Sequence, residues 1–512
     1  MWLRVWKTLT AIFWGQAVTL AGNITLVPLY LTYWTPEVYG EWLTLLALAG
    51  YFYVLDLGLT LVSTNRLTQT YAVGRLKEYA RCQHSVFAFF VSISLISTML
   101  LAVTLWVFPL PSWLGINHTS QKNTNWILWL LSQNVLWAMP AGFIWAVYRT
   151  AGKASKSQWL FNAHQFVSLG LISLILINSG GMTAVAMSQF VVLVLVTLYA
   201  YLDLRARFPD LVPGLKNADH GVLSGLIQPG LLFGLLTVGN VITTHGSVTI
   251  LSNMLSGVAV AVFVTSRTLV NIIRQIVGSL INAFWTEITA MEARAEWDGL
   301  RTLHRLLMAG STTLCVGFAT VLWYEGTEIF TVWTRGKLQP DAVLLRLLLA
   351  FLVLQSTWLV SLAFTAATNQ HQRLSLSYIV SAIIGVGFGA FLLRWIGTWA
   401  IPIGLIVGEA LACYHYVIKN TCEIIGEPYR SFSLRLWLGM AAMSSLSLLS
   451  GWIAHENIPG PLPIRCIGVG MFSITATATV AWRIWLAPNE RTRLVSIFCS
   501  LERPLARRHL HL

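Results

Sequence analysis

Two arginines lie within an apolar run of helical length, which is an unusual place for a permanent charge. The run from Val258 to Leu280 contains Arg267, Asn271 and Arg274, and Gly278 follows them. Because an α-helix repeats every 3.6 residues, these spacings place all four residues on one side of a helix. Paired guanidinium groups are suited to bind a diphosphate, since each planar group donates parallel hydrogen bonds to an anion.

Two carboxylates lie within other apolar runs. Asp56 is in the run from Trp42 to Leu61, and Glu409 is in the run from Trp399 to Ile418. A charge within hydrocarbon costs about 2.5–3.5 kcal/mol or more, so these side chains must face protein or water. Buried carboxylates commonly carry a proton or a cation, which makes Glu409 and Asp56 candidates for proton or sodium coupling.

A structural role is the alternative for each of these charges. Arg267 is then the ion-pair partner of Glu409, and the long side chain of Arg274 extends to the membrane surface. Asp56 is then paired with Arg66 or hydrated near the end of its run. The sequence leaves both interpretations open.

Polar side chains in the first and seventh apolar runs extend the set of candidates. Asn23 lies in the first run, and Asn240 and His245 lie in and just after the seventh. Lipid-facing helices avoid such residues, so we expect all three to line a substrate cleft. Hydrogen bonding between helices is the equally weighted alternative. Pro28 and Pro229 predict kinks in these two helices.

The composition shows what kind of solvent surrounds the helices that position these residues. Of the 512 residues, 56% are hydrophobic and 10% are charged, and the mean hydropathy is +0.67. A water-soluble fold of this length needs a far more charged surface, so the sequence predicts an integral membrane protein. The net charge of +13 comes from residues dispersed beside apolar runs, which argues against nucleic-acid binding.

Sequence motifs for nucleotide or metal chemistry are absent. There is no GxxxxGK[ST] loop, which argues against direct ATP-driven pumping by this chain. The six cysteines have no CxxC or CxxH spacing, so we expect no metal site and no cofactor. The spacers are short and carry no obvious acidic catalytic pair, so we expect a transporter and not an enzyme. A membrane glycan polymerase or transferase is a less favoured alternative.

Fourteen apolar runs are each long enough to cross a hydrocarbon core of about 30 Å as a helix. The sequence therefore predicts an all-α membrane protein with about 14 transmembrane helices. The predicted spans are Thr8–Leu31, Trp42–Leu61, Val86–Trp106, Trp126–Val147, Trp159–Ile177, Met182–Leu202, Leu223–Thr244, Val258–Leu280, Leu306–Tyr324, Ala342–Phe364, Leu374–Leu393, Trp399–Ile418, Leu434–Ile453 and Ile464–Leu486.

Most of the 33 lysines and arginines fall in spacers on one side of this arrangement. Cytoplasmic loops retain positive charge during insertion, so we expect that side to be cytoplasmic, with both termini on it. An odd number of spans would place the basic C-terminal tail on the opposite side. An even number is therefore favoured.

Weak internal repetition suggests two related halves. Gly22-Asn23-Ile24 in the first run matches Gly239-Asn240-Val241 in the seventh, and Gly40 matches Gly257 at the same offset. We predict two pseudo-symmetric six-helix bundles, residues 1–215 and 216–425, with a substrate cleft between them. Residues 426–512 form two additional transmembrane helices and a basic cytoplasmic tail in this scheme.

The first two spans carry short motifs found in a known family of transporters. These motifs are Tyr39-Gly40, Tyr51, Asp56-Leu57-Gly58-Leu59 and Arg66, and a basic break follows the tenth span at Asn369-Gln370-His371-Gln372-Arg373. In these residues, and in length and number of helices, the chain resembles the polysaccharide transporter branch of the multidrug/oligosaccharidyl-lipid/polysaccharide exporter superfamily. That branch includes the O-antigen flippases.

The resemblance implies a V-shaped pair of bundles in the bacterial inner membrane that moves a polyprenyl-diphosphate-linked oligosaccharide to the periplasmic leaflet. Its expected partners are the lipid-linked oligosaccharide, membrane lipids, a polysaccharide polymerase and the chain-length machinery. Arg267, Asn271, Arg274, Asn23, Asn240 and His245 remain substrate-binding candidates from the residues alone. An ion-coupled multidrug exporter of the same superfamily is the main alternative, and it favours an acidic pocket over an arginine pair.

Overall fold

The computed structural model describes residues 2–107, 116–367 and 372–485, and helices make up nearly all of these ranges. No β-strand occurs in them, which confirms the predicted all-α class. The predicted basic tail, which follows Leu486, lies outside the described residues, as does Leu486 itself. So do Asn369, Gln370 and His371 of the predicted basic break.

The α-helices alternate with short connections along the whole described chain. In order they are α1 (Trp2–Tyr33), α2 (Pro36–Gly50), α3 (Leu59–Ala72), α4 (Leu76–Val107), α5 (Gln121–Thr150), α6 (Ala154–Ile177), α7 (Met182–Arg207), α8 (His220–Val241), α9 (Ser247–Met254), α10 (Gly257–Asn282), α11 (Trp285–Ala293), α12 (Trp297–Trp333), α13 (Ala342–Ala367), α14 (Gln372–Ile396), α15 (Ala400–Gly408), α16 (Tyr414–Ile425), α17 (Tyr429–Asn457) and α18 (Leu462–Trp485).

Thirteen helical stretches in the described ranges are long and apolar enough to cross a membrane. The longest of them, Gln372–Ile425, has 54 residues, which is more than twice the roughly 20 that one crossing needs. The 3₁₀ turn Gly397–Trp399 divides it between α14 and α15, so it supplies two crossings. The total is then fourteen, the predicted number, and the chain is a multi-pass membrane protein.

The described helices form two compact units, each assembled from several stretches of chain. The first contains the described residues up to Thr268, with Thr331–Pro340 and Tyr378–Leu405. The second contains Leu269–Phe330, Asp341–Ser377 and the described residues from Ile406 onward. The predicted bundle boundaries at residues 215 and 425 were based on internal repetition in the sequence. These two units do not test that repetition, so the boundaries stay a prediction.

The second span differs from its prediction as an unbroken helix over Trp42–Leu61. Helix α2 ends at Gly50, the chain continues as the 3₁₀ turn Tyr51–Asp56, and α3 begins at Leu59. Between them Leu57 and Gly58 both have positive φ angles, 49° and 72°. Two residues in the left-handed conformation interrupt the helical hydrogen bonds. Hydropathy does not reveal this break, because the segment is as apolar as its neighbours.

Glycines of α8 make room for this break in the second span. A Cβ atom added to Gly58 would lie 2.4 Å from the carbonyl oxygen of Gly230, and one added to Gly230 would lie 2.9 Å from the Leu57 oxygen. Gly234 lies one turn further on and also meets Leu57. The GxxxG spacing of Gly230 and Gly234 therefore lets backbone pack directly against backbone, as is common between membrane helices.

A second close approach joins the two glycines that the internal repeat pairs. A Cβ atom added to Gly40 in α2 would lie 1.9 Å from the carbonyl oxygen of Gly257, the first residue of α10. No side chain larger than hydrogen fits at Gly40 without moving one of the two helices. The repeat positions thus mark a helix contact within the first unit.

We expect Gly58→Ala to destabilise the protein more than Gly74→Ala. Both glycines have φ of +72°, so both substitutions cost the strain of a left-handed alanine, about 1–2 kcal/mol. Nothing lies within 4 Å of a Cβ at Gly74, whereas a Cβ at Gly58 meets Gly230 and Phe233. Thermal unfolding in detergent should therefore show a larger loss for Gly58→Ala. Equal losses would contradict the packing account.

Candidate functional site

A polar cavity of about 490 Å³ lies beside the break in the second span. Four described elements of the first unit enclose it: the 3₁₀ turn, the start of α3, the middle of α5 and the end of α8 with the turn that follows. Its lining residues are Tyr53, Asp56, Thr60, Val135, Ala138, Met139, Gly142, Thr237, Asn240, Val241 and His245. The structure thus brings three predicted site residues, Asp56, Asn240 and His245, to one cavity.

His245 lies where the seventh span changes its helical pitch. Residues Ile242–Gly246 form a π-helical turn between α8 and α9, a distortion often found at functional sites. The imidazole packs against Gly50 and between two tyrosines, with ring centroids 6.4 Å away at both Tyr51 and Tyr53. This packing holds the ring at the wall of the cavity.

Asp56 caps the second half of the broken span. One oxygen of its carboxylate accepts hydrogen bonds from the backbone N–H and the hydroxyl of Thr60. The sequence alternative that pairs Asp56 with Arg66 is wrong, because Arg66 is bound to Glu78. Asp56 therefore holds the start of α3 and lines the cavity at the same time.

Arg267 is anchored beside this cavity. Its Nη1 donates a hydrogen bond of 3.0 Å to the carbonyl oxygen of Thr244, the residue before His245. Its guanidinium also lies 5.3 Å from the centre of the Phe263 ring. Thr244 belongs to the π-helical turn, so the same turn carries His245 and binds Arg267.

The polar residues of α10 lie at the edge of its buried side. Asn271 is exposed, and Arg267 and Arg274 are half-buried. The unit boundary falls after Thr268, so Arg267 belongs to the first unit, and Asn271 and Arg274 belong to the second. The residues that α10 buries are mostly apolar: Val260, Ala261, Phe263, Thr265, Ser266, Leu269, Val270, Ile273, Val277 and Ile281.

Glu409 is buried in the second unit, where it begins the π-helical turn Glu409–Cys413. Each carboxylate oxygen accepts one hydrogen bond of 2.9 Å, from Gln355 Nε2 and from Trp358 Nε1. Arg274 lies near enough to interact with it electrostatically. Glu409 and Arg267 thus each have a hydrogen-bond partner within their own unit.

Asn23 is the candidate that the structure leaves apart from these groups. It is half-buried in α1, in the first unit, and the described residues that line the cavity do not include it. Although Asn23 matches Asn240 in the internal repeat, it does not line the cavity that Asn240 lines.

Sequence reasoning missed several polar residues of both groups. Tyr53, Thr60 and Thr237 line the cavity, and Gln355 and Trp358 hold Glu409. Hydroxyl groups are too common in membrane helices to stand out. The polar stretch Gln355-Ser-Thr-Trp358 within the tenth span was a usable signal, because a buried acid needs donors of this kind.

Known proteins were compared with the chain by family model, by sequence and by structure. No family model matches the chain, and no curated protein matches its sequence. A solved structure described as lipid II flippase MurJ in an inward closed conformation matches with a TM-score of 0.68. That match has 11% identity and covers 93% of this chain and 98% of the other.

Drug transporters share the same fold. An inward-facing multidrug resistance MATE family transporter of the MOP superfamily has a TM-score of 0.63 and 14% identity, covering 80% of this chain and 95% of its own. The MATE multidrug transporter DinF-BH, solved with a bound ligand, has a TM-score of 0.59 and 13% identity, covering 83% and 97%. The chain shares the fold of these solved structures. The predicted two-bundle fold class is thereby confirmed.

We expect Glu409→Gln to destabilise the second unit. An amide offers one acceptor oxygen in place of two. Its NH₂ group would therefore face the N–H donor of either Gln355 or Trp358, and no hydrogen bond could form there. Loss of a charge-assisted bond costs about 1.5–3 kcal/mol, measurable by thermal unfolding. Glu423→Gln is the matched control, because Glu423 forms an exposed ion pair with Arg373 that contributes about 0–1 kcal/mol.

A double-mutant cycle identifies the cause of that loss. Trp358→Phe removes one of the two donors, so Glu409→Gln should cost less in that background than in the wild type. If the two effects simply add, Trp358 does not hold Glu409 in the way described.

Proposed function

We propose that the chain is a flippase for a polyprenyl-diphosphate-linked oligosaccharide, which it moves from the cytoplasmic to the periplasmic leaflet of the bacterial inner membrane. The observation that carries this proposal is the orientation of α10. Arg267, Asn271 and Arg274 lie at the edge of its buried, mostly apolar side, where Asn271 is exposed and both arginines are only half-buried.

A helix with this pattern needs water beside it. If the arginine side of α10 faced hydrocarbon, each charge would cost at least about 2.5–3.5 kcal/mol. A hydrated cavity removes that cost and lets an anionic substrate approach the arginines. Each planar guanidinium group can donate parallel hydrogen bonds to the oxygens of a diphosphate.

The shared fold fits a flippase and a drug exporter equally. The choice between them therefore depends on the charges of α10.

In this mechanism the cavity residues and the arginines act without covalent chemistry. Arg267 and Arg274 neutralise the diphosphate, and Asn240, His245 and Asn271 donate or accept hydrogen bonds to the sugars. The polyprenyl chain stays in lipid while the binding site opens to alternate sides. Glu409 and Asp56 are the proposed sites of proton or sodium coupling, and a polymerase with its chain-length machinery takes up the exported lipid.

A cation exporter is the second candidate, and one observation favours it. The cavity in the first unit contains a carboxylate, Asp56, beside the aromatic ring of Tyr53. An acid and an aromatic face suit an organic cation. Multidrug transporters have this fold, so the architecture is compatible with drug export.

Charge replacement on α10 tests the flippase. Arg267→Gln with Arg274→Gln removes both charges but retains an amide that can donate to the Thr244 carbonyl. We expect the rate at which vesicles flip a polyprenyl-diphosphate-linked oligosaccharide to fall more than tenfold, which corresponds to about 1.4 kcal/mol. Flipping is measured as the protection of the oligosaccharide from an added glycosidase. The corresponding Lys pair should retain part of the activity, because it keeps the charge and loses the planar fork.

Two controls make this result specific. Arg394→Gln removes an exposed charge at the end of α14 and should leave flipping unchanged. Efflux of an organic cation is measured in parallel with the same proteins. Normal flipping by the double Gln protein would contradict the proposal, and cation efflux that depends on Asp56 would favour the exporter.

A further inference from the structure

A basic pocket of about 250 Å³ lies in the second unit, far along the chain from the cavity described above. It is formed by the first two turns of α12, the turn after α16 and the first two turns of α17. Its lining residues are Arg301, Arg305, Gly426, Glu427, Pro428, Ser431, Phe432 and Arg435. Three arginines and one glutamate give this lining a net charge of +2.

Two of the arginines are fixed by the protein. Arg301 Nε donates to the carbonyl oxygen of Ile425 at 2.7 Å, and its Nη1 meets the exposed carboxylate of Asp298 at 2.9 Å. Arg305 binds Glu427 through Nε at 2.8 Å and also through Nη2. These contacts build a rigid wall, and Glu427 offsets only one of the three positive charges.

Arg435 supplies the unbalanced charge. Among the residues that the structure describes, it has no hydrogen-bond or ion-pair partner, and its side chain is exposed. Helix α17 begins at Tyr429, so its N-terminal backbone N–H groups lie next to Pro428 and Ser431 in the same pocket. A helix N-terminus adds positive partial charge and free donors, which favours an anion.

The pocket lies where the membrane surface is expected. Arg301 and Arg305 directly precede the predicted ninth span, and Arg435 lies at the start of the predicted thirteenth. The neighbours of Arg435 on α17, Leu434 and Leu438, are about 60% exposed, as expected for side chains in contact with lipid. The charge distribution of the sequence places this end on the cytoplasmic side.

We propose that this pocket binds an anionic glycerophospholipid of the cytoplasmic leaflet, with its phosphodiester at Arg435 and Arg301 and one acyl chain against the exposed Leu434 and Leu438 of α17. Basic pockets between membrane helices on the cytoplasmic side commonly bind such headgroups. The bound lipid bridges α12 and α17 and thereby fastens the last helix pair to the rest of the second unit. This site is separate from any transported substrate.

The proposal is tested by titrating lipid into the detergent-solubilised full chain and measuring the bound lipid by native mass spectrometry. Phosphatidylglycerol should bind the wild type more tightly than phosphatidylcholine. Arg435→Gln should weaken phosphatidylglycerol binding about fivefold, since one basic residue near a lipid surface has an effect of that size. Arg435→Lys should retain most of the binding. Thermal unfolding without lipid should be unchanged, because the described structure gives Arg435 no protein partner to lose.

A matched control and a competing anion decide between explanations. Arg430→Gln removes the same charge from an exposed position of α17 outside the pocket, and we expect less than a twofold effect. Equal effects of Arg430→Gln and Arg435→Gln would overturn the proposal. So would full displacement of the lipid by inorganic phosphate, which would make the pocket a site for soluble anions.

Discussion

The constraint on which the structure depends is the high free-energy cost of an unpaired polar group in hydrocarbon. A backbone that leaves its helix within the membrane must be covered by protein or by water. At Tyr51–Gly58 both occur: Gly230 and Gly234 cover one side of the break, and a polar cavity lies on the other. The same constraint accounts for Asp56, whose carboxylate replaces the hydrogen bonds that α3 would otherwise lack at its start.

Distorted backbone and candidate chemistry coincide at three places. The 3₁₀ turn presents Tyr53 and Asp56, the π-helical turn Ile242–Gly246 presents His245, and the π-helical turn Glu409–Cys413 begins with the buried acid. Arg267 donates a hydrogen bond to the carbonyl oxygen of Thr244, which lies in the first of these two π-helical turns. The positions with unusual side chains are thus also the positions with unusual backbone.

Much of the fold was predictable, because fourteen apolar runs in a membrane leave few alternatives to helices. The site was predictable only in part. Asp56, His245 and Arg267 stood out as costly residues in apolar runs, and the structure places them in or beside one cavity. The break after Gly50 was not predictable from hydropathy, because its cause is a left-handed backbone at Leu57 and Gly58. Nor does spacing within one helix reveal that Gln355 and Trp358 hold Glu409.

The central claim is that the arginine side of α10 faces water. In a protein whose native cysteines are replaced, single cysteines at Asn271 and Ile276 test it most directly, since both positions are exposed on the same helix. The account predicts that a charged thiol reagent modifies Asn271→Cys at least about tenfold faster than Ile276→Cys, because thiolate forms in water and not in hydrocarbon. Equal, slow modification at both positions would contradict it.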